Sequence, residues 1–263
     1  MKWYIMTDLE GACRVERWVQ CDGSELHYER LEARRFITAE ANATAAGIID
    51  ADPDADIVLW DGHGPGCIDP SLLDPRVSFI PHGWRIPAPF GLTSEFAGAF
   101  VLGTHSRAGT SNGCLAHTMA DNVIGYWLNG REIGELAGRM AMAGGLPDGP
   151  VPVLLVSGCN FACAEAHDLV PEVLTVETKL SLAPERAQHR PPATVHAELR
   201  AQAAAAVHAR DDIPPFVVPA PYTVRAKLTE GSSLDCYLRH PHTTRIDEQT
   251  AEQVTANLYE TWI

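Results

Sequence analysis

A short apolar run, Trp3–Met6, gives way almost at once to two carboxylates, Asp8 and Glu10, with Gly11 behind them. Residues two apart in extended chain point to one side, so the two acids share a patch. Held that close they repel one another and lose solvation. Either one stays protonated or a cation neutralises both. Imidazoles occupy comparable positions further on. His63 lies in "DGHG" after the apolar "DIVLW", and His105 in "THSRAG" after "GAFVLG". Glu135 follows the Asn129-Gly130 turn, and His117 lies beyond a Gly/Ser/Asn loop. Carboxylate and imidazole without thiolate form a borderline-hard donor set, suited to Zn²⁺, Mn²⁺ or Co²⁺. Asp8, Glu10, His63, His105 and Glu135 exceed what a single four-coordinate zinc needs. They suffice for two ions if one carboxylate bridges. Ordinary readings stand beside this one. Asp8 and Asp61 are good turn formers, a histidine in a glycine-rich loop is commonly just hydrogen-bonded or exposed, and Glu135 has Arg139 four residues on as an ion-pair partner.

The elements that must position these groups alternate. Strands are expected at Lys2–Thr7, Asp56–Trp60, Val77–Ile80, Gly98–Gly103, Pro152–Val156 and Val173–Val176, and within Phe216–Lys227, interrupted at Pro219 and Pro221. Helices are expected at His27–Asp50, started near Asp22 or Ser24, and at Glu135–Ala143, Phe161–Leu169, Thr194–Ala209 and Asp247–Trp262. Asn129-Gly130 between apolar flanks is a type I′ hairpin signal. The alternation predicts an α/β fold: a mostly parallel sheet flanked by helices, with a smaller second α/β domain. The Gly/Pro-rich stretch Gly144–Pro152 is the linker candidate, dividing a catalytic region, 1–145, from a second region, 146–263, that completes the fold and supplies oligomer contacts. In open α/β sheets ligands bind beyond the carboxyl ends of the strands, which is where the acids and imidazoles gather.

The 263 residues are 46% hydrophobic and 21% charged, an ordinary globular composition with ample material for a core. A net charge of −14 repels phosphate backbones and argues against a nucleic-acid partner. No apolar run nears the roughly 20 residues of a membrane span. The Trp3–Met6 run is also too short for a signal-peptide core of roughly 7–15 residues. Seven scattered cysteines without a C-x-x-C read as free thiols. A cytoplasmic location is therefore expected.

Five segments, "TDLEG" (7–11), "DGHG" (61–64), "LGTHSRAGT" (102–110), "LAHTM" (115–119) and "NGREIGELA" (129–137), resemble in order and separation the bacterial D-aminopeptidases associated with dipeptide-transport operons, a family of zinc metallopeptidases. The resemblance is strong to about residue 145 and weaker after it. It implies a dinuclear zinc centre held by Asp8, Glu10, His63, His105 and Glu135, with Asp8 as the bridge and His117 as the catalytic histidine. It further implies hydrolysis of amide bonds in short, D-amino-acid peptides or aminoacyl amides, by a ring-like homo-oligomer such as a decamer. The chain departs from the family pattern at Cys159-Asn160 and in Trp84–Leu92, where the substrate pocket or subunit contacts could differ.

Three other readings compete. A two-metal phosphoesterase would want basic residues, and the candidate loops offer chiefly Arg107. A serine hydrolase would use Ser111 of "GTSNG", which requires a strand running straight into the turn. A metal-loaded binding or scaffold protein would keep the ligands without turnover.

Overall fold

The computed structural model describes residues 1–23, 28–82 and 86–262. Ser24 and His27, at the expected start of the first helix, and Trp84 of the divergent segment lie outside the described residues. Strands β1 (Lys2–Thr7), β2 (Asp56–Asp61), β3 (Val77–Ile80), β4 (Phe96–Thr104), β7 (Val153–Cys159), β8 (Leu174–Ala183) and β9 (Arg186–His189) form one sheet in the order β3-β2-β1-β4-β7-β8-β9. Every pairing is parallel except β8 with β9. Strands buried on both faces read as continuous apolar runs, and all of β1 after Lys2 is buried. Helix α1 (Tyr28–Ala51) buries Ala33, Ile37, Ala41, Ala45 and Ile48, a stripe at helical spacing. It lies against α4 (Pro192–His208) at Gly47, where a Cβ would stand 2.1 Å from the carbonyl oxygen of Arg200. Helices α2 (Glu135–Gly144) and α3 (Asn160–Leu169) pack on each other, α2 also against β4, and α3 against β7 and β8.

A second, fully antiparallel sheet runs in the order β11-β12-β10-β5-β6. Its strands are β5 (Val123–Leu128), β6 (Arg131–Glu132), β10 (Tyr222–Leu228), β11 (Thr243–Arg245) and β12 (Thr250–Thr255). It has its own apolar cluster around Tyr126, Val224, Leu228 and Ala251. Asn129 and Gly130 join β5 to β6 with φ of 49° and 82°, the left-handed pair that a type I′ turn requires. Both sheets draw strands from either side of Gly145, so the chain interleaves the two layers.

The expected helix at Asp247–Trp262 is not formed. Residues 250–255 are β12, paired along β10, and only the short 3₁₀ turn Leu258–Glu260 is helical. The helix-compatible "AEQ" is overridden by β-branched Thr250, Val254 and Thr255 and by the open edge of β10, whose main-chain groups need partners. All seven cysteines are free. Among the described residues no helix is long and apolar enough to cross a membrane.

Candidate metal centre

Strand β1 leads on to β2 and β3 on one side, while β4 lies on its other side, so β1 and β4 flank a switch point of the sheet. The backbone there is tightly stitched. Asp8 N–H donates to Leu102 O and Gly11 N–H to Gly103 O, both at 2.8 Å. A Cβ on residue 11 would sit 1.7 Å from the carbonyl oxygen of Thr104, which is why a glycine follows Glu10. Asp61 at the end of β2 is a loop clasp. Its carboxylate accepts from Cys67 N–H at 2.8 Å and Ile68 N–H at 3.0 Å, fixing the loop that carries His63. His105 follows β4 directly. His117 is drawn alongside by its N–H, which donates to Ser106 O at 3.2 Å, and the two rings stack at 4.0 Å and 8°. Glu135 opens α2 and accepts from Met119 N–H at 2.8 Å.

These elements bring together the six candidate residues Asp8, Glu10, His63, His105, His117 and Glu135. Asp8, Glu10 and His63 form one three-donor set, and His105, His117 and Glu135 a second, each with its donor atoms within 4.8 Å of one another. Asp8 turns one oxygen to each side: Oδ1 is 3.3 Å from His63 Nδ1 and Oδ2 is 3.4 Å from His105 Nε2. Glu10 Oε2 lies 3.3 Å from His63 Nδ1, and Glu135 Oε1 lies 3.6 Å from Nε2 of both His105 and His117.

The far nitrogens of the imidazoles orient the near ones. His63 Nε2 lies 2.9 Å from Cys21 O, His105 Nδ1 3.0 Å from Ser106 O, and His117 Nδ1 3.0 Å from Leu115 O. Each carbonyl can only accept, so each of these nitrogens carries the proton. In its neutral form each ring then aims a bare lone pair at carboxylates. That arrangement is repulsive unless a proton or a cation lies between, and it is the usual support for metal-binding histidines. Asp8 Oδ2, Glu10 Oε2 and His105 Nε2 are buried and have no hydrogen-bond partner. Buried polar atoms are normally satisfied, so these orphaned donor atoms fit a divalent ion. The site's field agrees. Burial would push Asp8 up, but Arg139 and the two histidines hold it well below the usual carboxylate range. Burial would push His63 and His105 down, but the surrounding carboxylates raise both well above the ordinary value.

Several contributors carry no motif signal. Arg139 Nη2 lies 3.2 Å from Asp8 Oδ2, a contact visible in sequence only as the i, i+4 spacing from Glu135. Lys179 is fully buried and donates to the carbonyl oxygens of Glu10 and Val15, beneath the loop bearing Glu10. Trp18 meets His117 edge-on at 5.2 Å. Ser111 is exposed in a loop beyond the end of β4, with no strand running into it, so the nucleophile-elbow geometry is absent. Arg107 is spent on Glu132 at 3.1 Å. Asn160 accepts from Ser181 N–H at 2.8 Å, and Cys159 contacts Ser106 at 3.3 Å. A cleft of about 280 Å³ opens over Asp8, Glu10, His63, His117 and Glu135, walled by Trp18, Pro65 and Met119.

Paired nitrogen–oxygen donor sets beneath an open cleft, at the switch point of an α/β sheet, mark a metal-dependent hydrolase. A family model described as D-aminopeptidase matches residues 1–262, and the chain belongs to that family. It is 31% identical over 224 residues to a D-aminopeptidase of Bacillus subtilis (strain 168), covering 83% of this chain and 78% of the relative. The structure is similar to that of the Zn-dependent D-aminopeptidase DppA from Bacillus subtilis, described as a self-compartmentalizing protease. The TM-score is 0.89 at 26% identity, over 99% of this chain and 93% of the other.

Proposed function

We propose that this chain is a dinuclear-zinc aminopeptidase that cleaves amide bonds of short peptides or aminoacyl amides, including those of D-amino acids. The observation that carries this reading is the two-sided Asp8, with one oxygen toward each donor set. In this reading Glu10 and His63 would hold one ion, His105 and Glu135 the other, and Asp8 would be shared between them. Mn²⁺ or Co²⁺ fits the same donors. When bound, a metal pair supplies Lewis acidity and a water of lowered pKa.

The protein's own groups do the rest. His117 lines the cleft and is the catalytic residue of this reading, donating to the developing oxyanion or to the leaving amine. With Nδ1 already engaged by Leu115 O, Nε2 is the nitrogen left to exchange a proton with the reacting groups. Trp18 fixes the ring against rotation from one edge while His105 stacks on its face. No arginine or lysine lines the cleft among the described residues, which disfavours a phosphate ester as substrate. Residues 146–263 complete both sheets and, in this reading, supply contacts of a ring-like homo-oligomer, a decamer, in the cytoplasm. The self-compartmentalizing description of the structural relative supports the homo-oligomer, while the decamer and the cytoplasm rest on the sequence resemblance and the free thiols.

The test is elemental analysis of protein purified without chelator, followed by a panel of D- and L-aminoacyl amides and dipeptides, with light scattering for the subunit number. About two zinc-like ions per chain and chelator-sensitive amide cleavage are expected. Full metal with no turnover on the panel would make the chain a metal-loaded scaffold instead.

A further inference from the structure

With His117 left to catalysis, the two metal positions have equal ligand inventories. Each has one glutamate, one histidine and one oxygen of Asp8: Glu10, His63 and Oδ1 on one side, and Glu135, His105 and Oδ2 on the other. Arg139 breaks that symmetry. It reaches in from the second turn of α2 and sets Nη2 3.2 Å from Asp8 Oδ2 and 3.8 Å from Glu135 Oε2, both acids of the second position. The guanidinium cannot readily swing out to water. Arg139 is only 8% exposed, its Cζ lies 5.9 Å over the ring of Trp60, and Trp60 in turn stacks on Phe90 at 4.2 Å. Arg139 Nη1 is buried without a hydrogen-bond partner, so the side chain is held by its charge contacts and by packing. Among the described residues no arginine or lysine pairs with the Glu10 carboxylate, and the guanidinium of Arg30 is spent on the main-chain carbonyls of Pro65 and Gly66 in the His63 loop. Lys179 lies beneath the loop, and its ammonium donates to the main-chain carbonyls of Glu10 and Val15.

We propose that Arg139 makes the two metal positions unequal, leaving the Asp8–Glu10–His63 position tight and the Asp8–His105–Glu135 position weak and exchangeable. This rests on the two-metal reading of the site. A fixed guanidinium answers part of the negative charge that a second ion would otherwise use, and it repels that ion directly. A unit charge about 5 Å from a divalent ion alters its affinity roughly tenfold even at the dielectric of water, and more in a buried site. The consequence is an enzyme whose second ion comes and goes with the free metal concentration while the first stays.

The experiment titrates chelator-stripped protein with Zn²⁺ alone against a chromophoric competitor, while the histidine ring resonances are followed by NMR. In the wild type the first equivalent should shift the His63 signals and the second those of His105. Two ions that share Asp8 repel each other in any case, so the decisive comparison is between variants. Arg139→Met should tighten the second step roughly tenfold or more and leave the first within a few-fold, while Arg139→Lys should keep the wild-type gap. His105 filling first, or an unchanged gap in Arg139→Met, would overturn the proposal while leaving the two-metal reading intact. If Arg139→Met does not fold, the order of filling in the wild type still decides. Weakening of both steps in Arg139→Met would make Arg139 a support for Asp8 instead and would likewise overturn it. No Zn²⁺ uptake by the wild type would instead sink the two-metal reading itself.

Discussion

Asp8→Asn separates a bridged pair of metals from two independent ones. Asparagine keeps the shape of the side chain and one carbonyl oxygen but removes the charge that both donor sets share. Asp8 oxygens stand 3.3 Å from His63 and 3.4 Å from His105, so each position loses a ligand. Removing one partner of a buried charge pair costs about 3–5 kcal/mol. At about 1.4 kcal/mol per decade that is roughly two to four orders of magnitude in affinity at each position. A position weakened that far empties during gel filtration at a free Zn²⁺ concentration that keeps both wild-type positions filled. Glu10→Gln is the control, because Glu10 meets only His63 and its loss should empty only one position. Elemental analysis after gel filtration in Zn²⁺-containing buffer, with the buffer's own metal subtracted, should read about two ions in the wild type, one in Glu10→Gln and close to none in Asp8→Asn. Far-ultraviolet circular dichroism would check that each variant folds. Two ions retained in Asp8→Asn, or one ion lost in both variants, would refute the bridge.

His117→Ala should keep its metal and lose about two to four orders of magnitude in kcat on an aminoacyl amide, the range for a general acid; near-normal turnover would remove it from the mechanism. Gly11→Ala forces a Cβ to within 1.7 Å of the Thr104 carbonyl oxygen, and the strands β1 and β4 must part. A loss of about 3 kcal/mol or more is expected, read as a lowered midpoint in urea, and a wild-type midpoint would show that the loop yields freely. Glu40 is buried and its carboxyl is pushed by burial from 4.5 to about 7. A raised folded pKa means that its contribution is fully present below about pH 4.5 and is lost as pH rises through 7. Glu40→Gln keeps an acceptor for Cys13 N–H, which lies 2.7 Å from Glu40 Oε1. It should match the wild type at pH 4 and exceed it by about 3 kcal/mol above pH 7. Urea unfolding at both pH values measures this, and a gain independent of pH would show that Glu40 is not ionising in the fold.

Short-range order was legible where one local signal sufficed. The run Trp3–Met6 is a strand because nothing polar interrupts it, and Asn129-Gly130 turns the chain because those two residues accept positive φ at little cost. The donor types were legible too, since carboxylates and imidazoles at strand ends have few apolar uses. The C-terminal segment was not, because "TAEQVT" has a helical reading and a strand reading that differ little locally. The unpaired edge of β10, distant in sequence, decided between them. Nor do strand spacings say that β1 and β4 become neighbours, or that Asp8 turns one oxygen to His63 and the other to His105. The sequence by itself determined which atoms could bind metal and which strands would carry them. Only the tertiary structure decided that six such side chains meet at one switch point, that main-chain carbonyls of Cys21, Ser106 and Leu115 fix the imidazole tautomers, and that Arg139 leans on one half of the centre. Those are contacts between residues far apart along the chain, or with backbone atoms that every residue possesses, and no local pattern records them.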